Sequence, residues 1–139
     1  MDSISVVPLS SEYRGQVEGW ATARAVRTLL KSPEISLASD SNNQSWVAVV
    51  NGQAVGLGTI SIDHKHVGYL EFIVKPSERR KGIGAALVNA ILDSDFAKSL
   101  SHLNASVDHD NTAGQKILTL HGFSRVGVNE NGQLEFTRH

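Results

Sequence analysis

The sequence predicts an α/β domain built on a mixed β-sheet, and three observations predict it. Two β-rich runs, Trp46–Val50 and Gln53–Ile62, flank an Asn51-Gly52 pair that favours a tight hairpin turn. A third β-rich run, Val67–Val74, passes through a short basic loop into an amphipathic helix. A further strand, helix and closing hairpin complete the chain. Hairpins make antiparallel neighbours and a helical crossover makes a parallel one, so the sheet is mixed.

Ser3–Val7 reads as a first strand closed by Pro8. Glu12–Lys31 carries Val17, Trp20, Ala21, Val26, Leu29 and Leu30 near helical spacing, with Gly15 and Gly19 weakening its beginning. Ser32–Ser45 is polar, contains Pro33 and Asp40-Ser41-Asn42-Asn43, and reads as a loop with room for a short helical piece. After the hairpin and the Val67–Val74 strand, Ile83, Leu87, Val88, Ile91 and Leu92 form one apolar helical stripe. Leu103–Val107 is a strand. Asn111 suits the N-cap of a helix bearing Ala113, Ile117, Leu118 and His121 on one side, and Gly122 suits its left-handed stop. Phe123–Val128 and Leu134–Thr137 form a hairpin around Asn129–Gly132.

A chain of 139 residues, 40% hydrophobic and 19% charged, fits one domain with one core, 1–139. The net charge of −1 lacks the basic excess of a nucleic-acid binder, so no nucleic-acid partner is expected. The chain has no cysteine, which removes disulfides, thiolate nucleophiles and cysteine-ligated metals. Met1–Ser5 lacks the basic and apolar regions of a secretory signal, and Trp46–Val50 is too short to cross a bilayer. A cytoplasmic protein without a membrane partner is expected.

Chemistry concentrates in Val74-Lys75-Pro76-Ser77-Glu78-Arg79-Arg80-Lys81-Gly82-Ile83-Gly84-Ala85-Ala86-Leu87. The first turn of a helix offers unpaired N–H groups and the positive end of the dipole. Glycine lets a ligand approach that backbone, and Arg79, Arg80 and Lys81 add positive charge. The combination suits a pyrophosphate. The P-loop spacing is absent, and Gly82–Leu87 lacks the third glycine of the dinucleotide fingerprint. The competing reading is plain: glycine is common at strand-to-helix turns, and basic loop residues are often only solvated.

The surroundings decide between them. Arg79-Arg80-Lys81-Gly82-Ile83-Gly84 resembles the Arg/Gln-x-x-Gly-x-Gly/Ala signature of the GNAT acyltransferase superfamily. Asn111, followed by a helix ending in Gly122-Phe123, is similar to that family's second motif. The resemblance covers Val67–Phe123, and the flanking hairpins suit the same fold. It implies a single-domain GNAT-like fold with a mostly antiparallel sheet, splayed between the fourth and fifth strands and flanked by helices. It further implies acetyl-CoA as cosubstrate. The backbone of Phe72, Ile73 and Val74 would bind the pantetheine arm, backbone groups of Arg80 to Ala85, including Gly82, Ile83 and Gly84, would hold the pyrophosphate, and Asn111 would touch the arm. Asn111 also reads as a simple N-cap; the two roles are compatible.

One position departs from the family. The tyrosine expected four residues before Gly122 is Leu118, which has no proton to give. Glu71 is the candidate general base, or a counter-ion for a substrate ammonium; strand alternation leaves open that it points at solvent. His64 and His66 flank Lys65 in the turn before the key strand and read as exposed loop residues, with no carboxylate–histidine motif to suggest metal. His121 reads as part of a helix end. Trp20 reads as core, and Tyr13 or Trp20 as possible pocket lining.

The leading expectation is therefore an N-acetyltransferase acting in a ternary complex on a small-molecule amine or a protein or peptide amine, as a monomer or homodimer. The alternative is a non-catalytic acyl-CoA sensor or partner module, kept open by Leu118.

Overall fold

The computed structural model describes residues 3–20, 43–78 and 82–139. In chain order the elements are β1 (Ser5–Pro8), α1 (Ser11–Trp20), β2 (Asn43–Val50), β3 (Gln53–Ile62), β4 (Gly68–Val74), a 3₁₀ turn (Pro76–Glu78), α2 (Ile83–Leu92), α3 (Asp95–Lys98), β5 (Leu103–Val107), α4 (Thr112–Leu120), β6 (Ser124–Val128) and β7 (Leu134–Arg138). The strands form one seven-stranded sheet in the order β1-β2-β3-β4-β5-β7-β6. Among the described residues only β4 and β5 run parallel; the other neighbours are antiparallel. The crossover from β4 to β5 carries α2 and α3, the helical connection that a parallel pair requires.

Both faces of the sheet are covered. On one, the apolar stripe of α2, Ile83, Leu87, Val88, Ile91 and Leu92, packs with Trp46, Ile60, Leu70, Ala105, Leu118 and Phe136. Trp46 lies edge-to-face with Phe96, ring centroids 6.0 Å apart. On the other face, Val17 of α1 and Leu9 cover Val47, Val49 and Leu57, with Tyr13 and Ile73 packed against them. Strand alternation fixes which residue serves which face. Leu70, Phe72 and Val74 join the α2 core, whereas Ile73, and by parity Tyr69 and Glu71, belong to the α1 face.

The Asn51-Gly52 turn has positive φ at both residues, 51° and 75°, as a two-residue hairpin requires. Elsewhere the structure corrects the expected boundaries. The loop expected to run to Ser45 ends earlier, because β2 begins at Asn43 and pairs Asn43, Gln44 and Ser45 with Ser61, Ile60 and Thr59. Those polar residues are strand because β3 is long enough to pair with them, and the Ser45 and Thr59 hydroxyls satisfy each other at 2.9 Å inside the protein. Pro8 is the last residue of β1, not a stop before it; β1 is an edge strand, where a missing N–H is tolerated. The single turn of α3 was not expected; Ser94 caps it by accepting the Ala97 N–H at 3.2 Å. The expected first helix, Glu12–Lys31, is described to Trp20, and its remainder and the Pro33 segment lie outside the described residues. Among the described residues no helix is long and apolar enough to cross a membrane.

Candidate functional site

The β4–β5 ladder is short. It pairs Gly68 with Leu103, Tyr69 with Asn104 and Leu70 with Ala105, and ends there. Both strands run on, β4 to Val74 and β5 to Val107. The two strands therefore part beyond Leu70 and Ala105, and the splay expected between the fourth and fifth strands is present. Phe72, Ile73 and Val74 border this gap, all partly buried.

Val74 leads through the 3₁₀ turn to α2. Arg79, Arg80 and Lys81 lie outside the described residues, so their expected place at a pyrophosphate is a matter of sequence alone. Gly82 is the N-cap of α2, with φ +79° and no side-chain capping bond. The left-handed φ is why glycine stands here. The first α-helical bond is Ala86 N–H to Gly82 C=O, so the amides of Ile83, Gly84 and Ala85 belong to the first turn, which lacks intrahelical acceptors.

Gly84 serves a different need from Gly82. It is buried, and a Cβ there would sit 2.9 Å from Ile117 Cδ1 and 3.5 Å from Val74 Cγ2. Its absent side chain lets α2 approach α4 and β4, so close packing accounts for this glycine. At Gly82 a Cβ would meet no described residue within 4 Å, so its positive φ, not crowding, accounts for this glycine.

Asn111 is the N-cap of α4: its Oδ1 accepts the Gly114 N–H at 2.9 Å. Gly114 makes room for it, since a Cβ there would lie 2.7 Å from Asn111 Nδ2. Leu118, four residues before Gly122, is 0% exposed and packs in the core on the α2 face. His121 completes the helix end with Nδ1 2.8 Å from the Ile117 carbonyl.

Glu71 is partly buried and pairs across β4 and β3 with Thr59, so Ser45, Thr59 and Glu71 form a row on the α1 face beside the start of the gap. His64 and His66 are exposed in the β3–β4 turn, and His66 has φ +63°. Among the described residues no group of His, Asp and Glu is arranged to hold a metal.

The structure also assembles a set of side chains that sequence reading did not single out. Asp63, in the β3–β4 turn, accepts the Lys65 and Val67 amides at 2.9 and 3.0 Å through Oδ1. Its Oδ2 accepts the Tyr69 hydroxyl at 3.2 Å. The Val67 amide is the largest cause holding the Asp63 carboxyl below its ordinary pKa. Tyr69 is moved the other way: burial and then the Asp63 bond raise its phenol, while a hydrogen bond from Asn104 opposes them. Asn104 Oδ1 lies 3.1 Å from His102 Nε2, and Thr137 Oγ1 lies 2.7 Å from the same nitrogen. The available signal was parity: Tyr69 shares a face with Glu71.

A sheet that parts between a parallel pair, with a glycine-opened helix at the end of one parting strand, is the arrangement that the resemblance to GNAT acyltransferases implied. The chain belongs to the acetyltransferase (GNAT) family, whose sequence profile matches residues 9–123. Solved structures share the fold. A GNAT-family acetyltransferase from Streptococcus pneumoniae is 19% identical, with a TM-score of 0.72 and 98% of each chain covered. One from Staphylococcus aureus Mu50 is 15% identical, with a TM-score of 0.77 and 98% of each chain covered. The enzyme AAC(6')-Ib, solved with ribostamycin and coenzyme A, is 14% identical, with a TM-score of 0.73, covering 99% of this chain and 93% of that one. No curated protein sequence matches this chain.

Proposed function

We propose that the protein is an acetyl-CoA-dependent N-acetyltransferase. In this reading the cosubstrate's pyrophosphate meets the first-turn amides of Ile83, Gly84 and Ala85 and the charges of Arg79, Arg80 and Lys81. The pantetheine arm lies against the backbone of Phe72, Ile73 and Val74. The observation that carries the reading is the end of the β4–β5 ladder at Leu70–Ala105, next to a helix opened by Gly82. A fold neighbour solved with coenzyme A and an aminoglycoside supports an amine acceptor.

The amine lone pair attacks the thioester carbonyl, the C–N bond forms, the C–S bond breaks, and the proton that the nitrogen sheds as the amide forms passes through water to the departing coenzyme A thiolate. A thiol of pKa about 8.5 is a tolerable leaving group, so the reaction proceeds without a side-chain acid at Leu118. The ammonium proton must be lost before attack, and Glu71, beside the gap, is the base or the counter-ion. Asn111 acts chiefly through its cap, which holds the start of α4. The acceptor is a small-molecule, peptide or protein amine. The proposal includes one domain over 1–139, a cytoplasmic location, and a monomer or homodimer.

Calorimetry with coenzyme A and acetyl-CoA, followed by thiol release over a panel of amines, tests it. Binding and amine-dependent thiol release are expected. Gly82→Val should weaken coenzyme A binding, since a β-branched residue does not hold the left-handed φ that aims the first-turn amides of α2. Absence of coenzyme A binding by the wild type overturns the reading; binding without thiol release overturns its catalytic part.

A further inference from the structure

If the pyrophosphate sits at the start of α2, just past β4, the cosubstrate's arm runs back along β4 from Val74. It stops where the ladder closes, at Leu70 and Ala105. This step rests on the proposed function. The α2 side of that closed end is filled: Leu70, Ala105, Phe72 and Val74 belong to the core there or pack against it. An acceptor therefore reaches the closed end from the opposite face, past Tyr69, Glu71 and Asn104.

On that face Tyr69 and Asn104 form the last but one pair of the ladder. Tyr69 is 43% exposed although its hydroxyl is held by Asp63. Asn104 stands opposite Tyr69 in the ladder, on the same face, and its side chain lowers the phenol's pKa. Asn104 Oδ1 lies 3.1 Å from His102 Nε2, which Thr137 Oγ1 also approaches at 2.7 Å. The Tyr69 hydroxyl donates to Asp63, whose other oxygen is held by the turn amides. Asn104 and His102 thus stand behind the Tyr69–Asp63 bond, on the β5 side of the phenol. The phenol's own proton is thus taken by Asp63, and its oxygen presents a fixed acceptor lone pair beside a carboxylate. Two further charges stand near: Glu135 acts on Tyr69, and His64 on Asp63.

We infer that Tyr69 is an acceptor-binding residue of this transferase, taking an N–H of a cationic alkylamine on its hydroxyl oxygen with Asp63 as counter-charge, and that Asn104 and His102 are positioning residues that fix the phenol. The exposed ring face adds a surface that cations favour. A fixed acceptor and a carboxylate select for amines that arrive charged, and they hold the nitrogen near Glu71 and the end of the gap.

The test uses the full chain with acetyl-CoA and two acceptor classes, a charged alkylamine and an arylamine that is neutral at pH 7. Tyr69→Phe keeps the ring and removes the oxygen. It should raise KM for the alkylamine on the order of tenfold, the scale of a lost hydrogen bond to a charged group. The arylamine KM should move little, and coenzyme A affinity should stay at the wild-type value. Asn104→Ala should raise the alkylamine KM less, and the double variant should be no worse than Tyr69→Phe alone, because Asn104 acts through Tyr69. Unchanged alkylamine KM in Tyr69→Phe, a fall in kcat alone, or additive effects of the two substitutions overturns the inference while the coenzyme A reading stands. If no amine is turned over, the same variants are titrated with alkylamine by calorimetry in the presence of coenzyme A, and equal affinities overturn it. A wild type that does not bind coenzyme A overturns both.

Discussion

The Cβ that Gly84 lacks would lie 2.9 Å from the Cδ1 of Ile117. This one distance ties the glycine motif at the start of α2 to the packing of α4. Gly84→Val should therefore destabilise the protein by about 1–3 kcal/mol, the usual cost of overpacking, whatever it does to coenzyme A. Urea denaturation of Gly84→Val, and of Gly84→Val with Ile117→Ala, checks it. The second substitution should recover part of the loss by opening the space. An unaltered midpoint in Gly84→Val would show that α2 and α4 shift apart freely.

Leu118, where the resemblance leads one to expect a tyrosine, is fully buried in the α2-side core. Leu118→Tyr should lower the thermal midpoint, because a larger ring and a hydroxyl must fit where neither has space or a partner. Leu118→Ala should cost about 2–5 kcal/mol through the cavity it leaves. Neither should raise kcat. A Leu118→Tyr protein that keeps its midpoint and gains turnover would mean the side chain swings to the gap and supplies the missing acid.

Asn111 holds the first turn of α4 through the Gly114 amide. Asn111→Ala should cost about 1 kcal/mol of stability, and Asn111→Ser, which retains a capping oxygen, much less. Coenzyme A affinity measured in both variants separates the roles. Equal affinity for Asn111→Ser and wild type, with a loss only in Asn111→Ala, identifies the cap as the contribution. A loss in both identifies direct contact with the cosubstrate arm.

The pKa of Asp63 is lowered first by the Val67 amide, which desolvation opposes, and further by the Lys65 amide, the Tyr69 hydroxyl and the charge of His64. A depressed folded-state pKa contributes stability above the unfolded value of about 3.9, and that contribution disappears as pH falls through the folded value. Denaturant midpoints of the wild type should therefore fall between pH 5 and strongly acidic pH more steeply than those of Asp63→Asn, in which the turn has no charge to lose. Parallel slopes for the two proteins would show that the turn carboxylate is protonated alike in the folded and unfolded chains.

Local chemistry alone determined much of this protein. Asn51-Gly52 dictates its turn because only such residues take positive φ in succession without strain. Ile83, Leu87, Val88, Ile91 and Leu92 dictate a helix with one apolar side, and Gly82 marks its left-handed start. The resemblance between Val67 and Phe123 placed the gap, and the ladder ends where that placement requires. Tertiary structure decided the rest, because it depends on partners far along the chain that no local period encodes. Asn43–Ser45 became strand only because β3 extends beside them. Gly84 took its packing role from Ile117, and Leu118 took its own from the core shared with α2. His102 meets Thr137 across 35 residues and Asn104 on its own strand, and Asn104 faces Tyr69 and its Asp63 partner only once β4, β5 and β7 lie side by side. Periodicity reports which face a residue occupies; which polar group it meets there is set by sheet order and register.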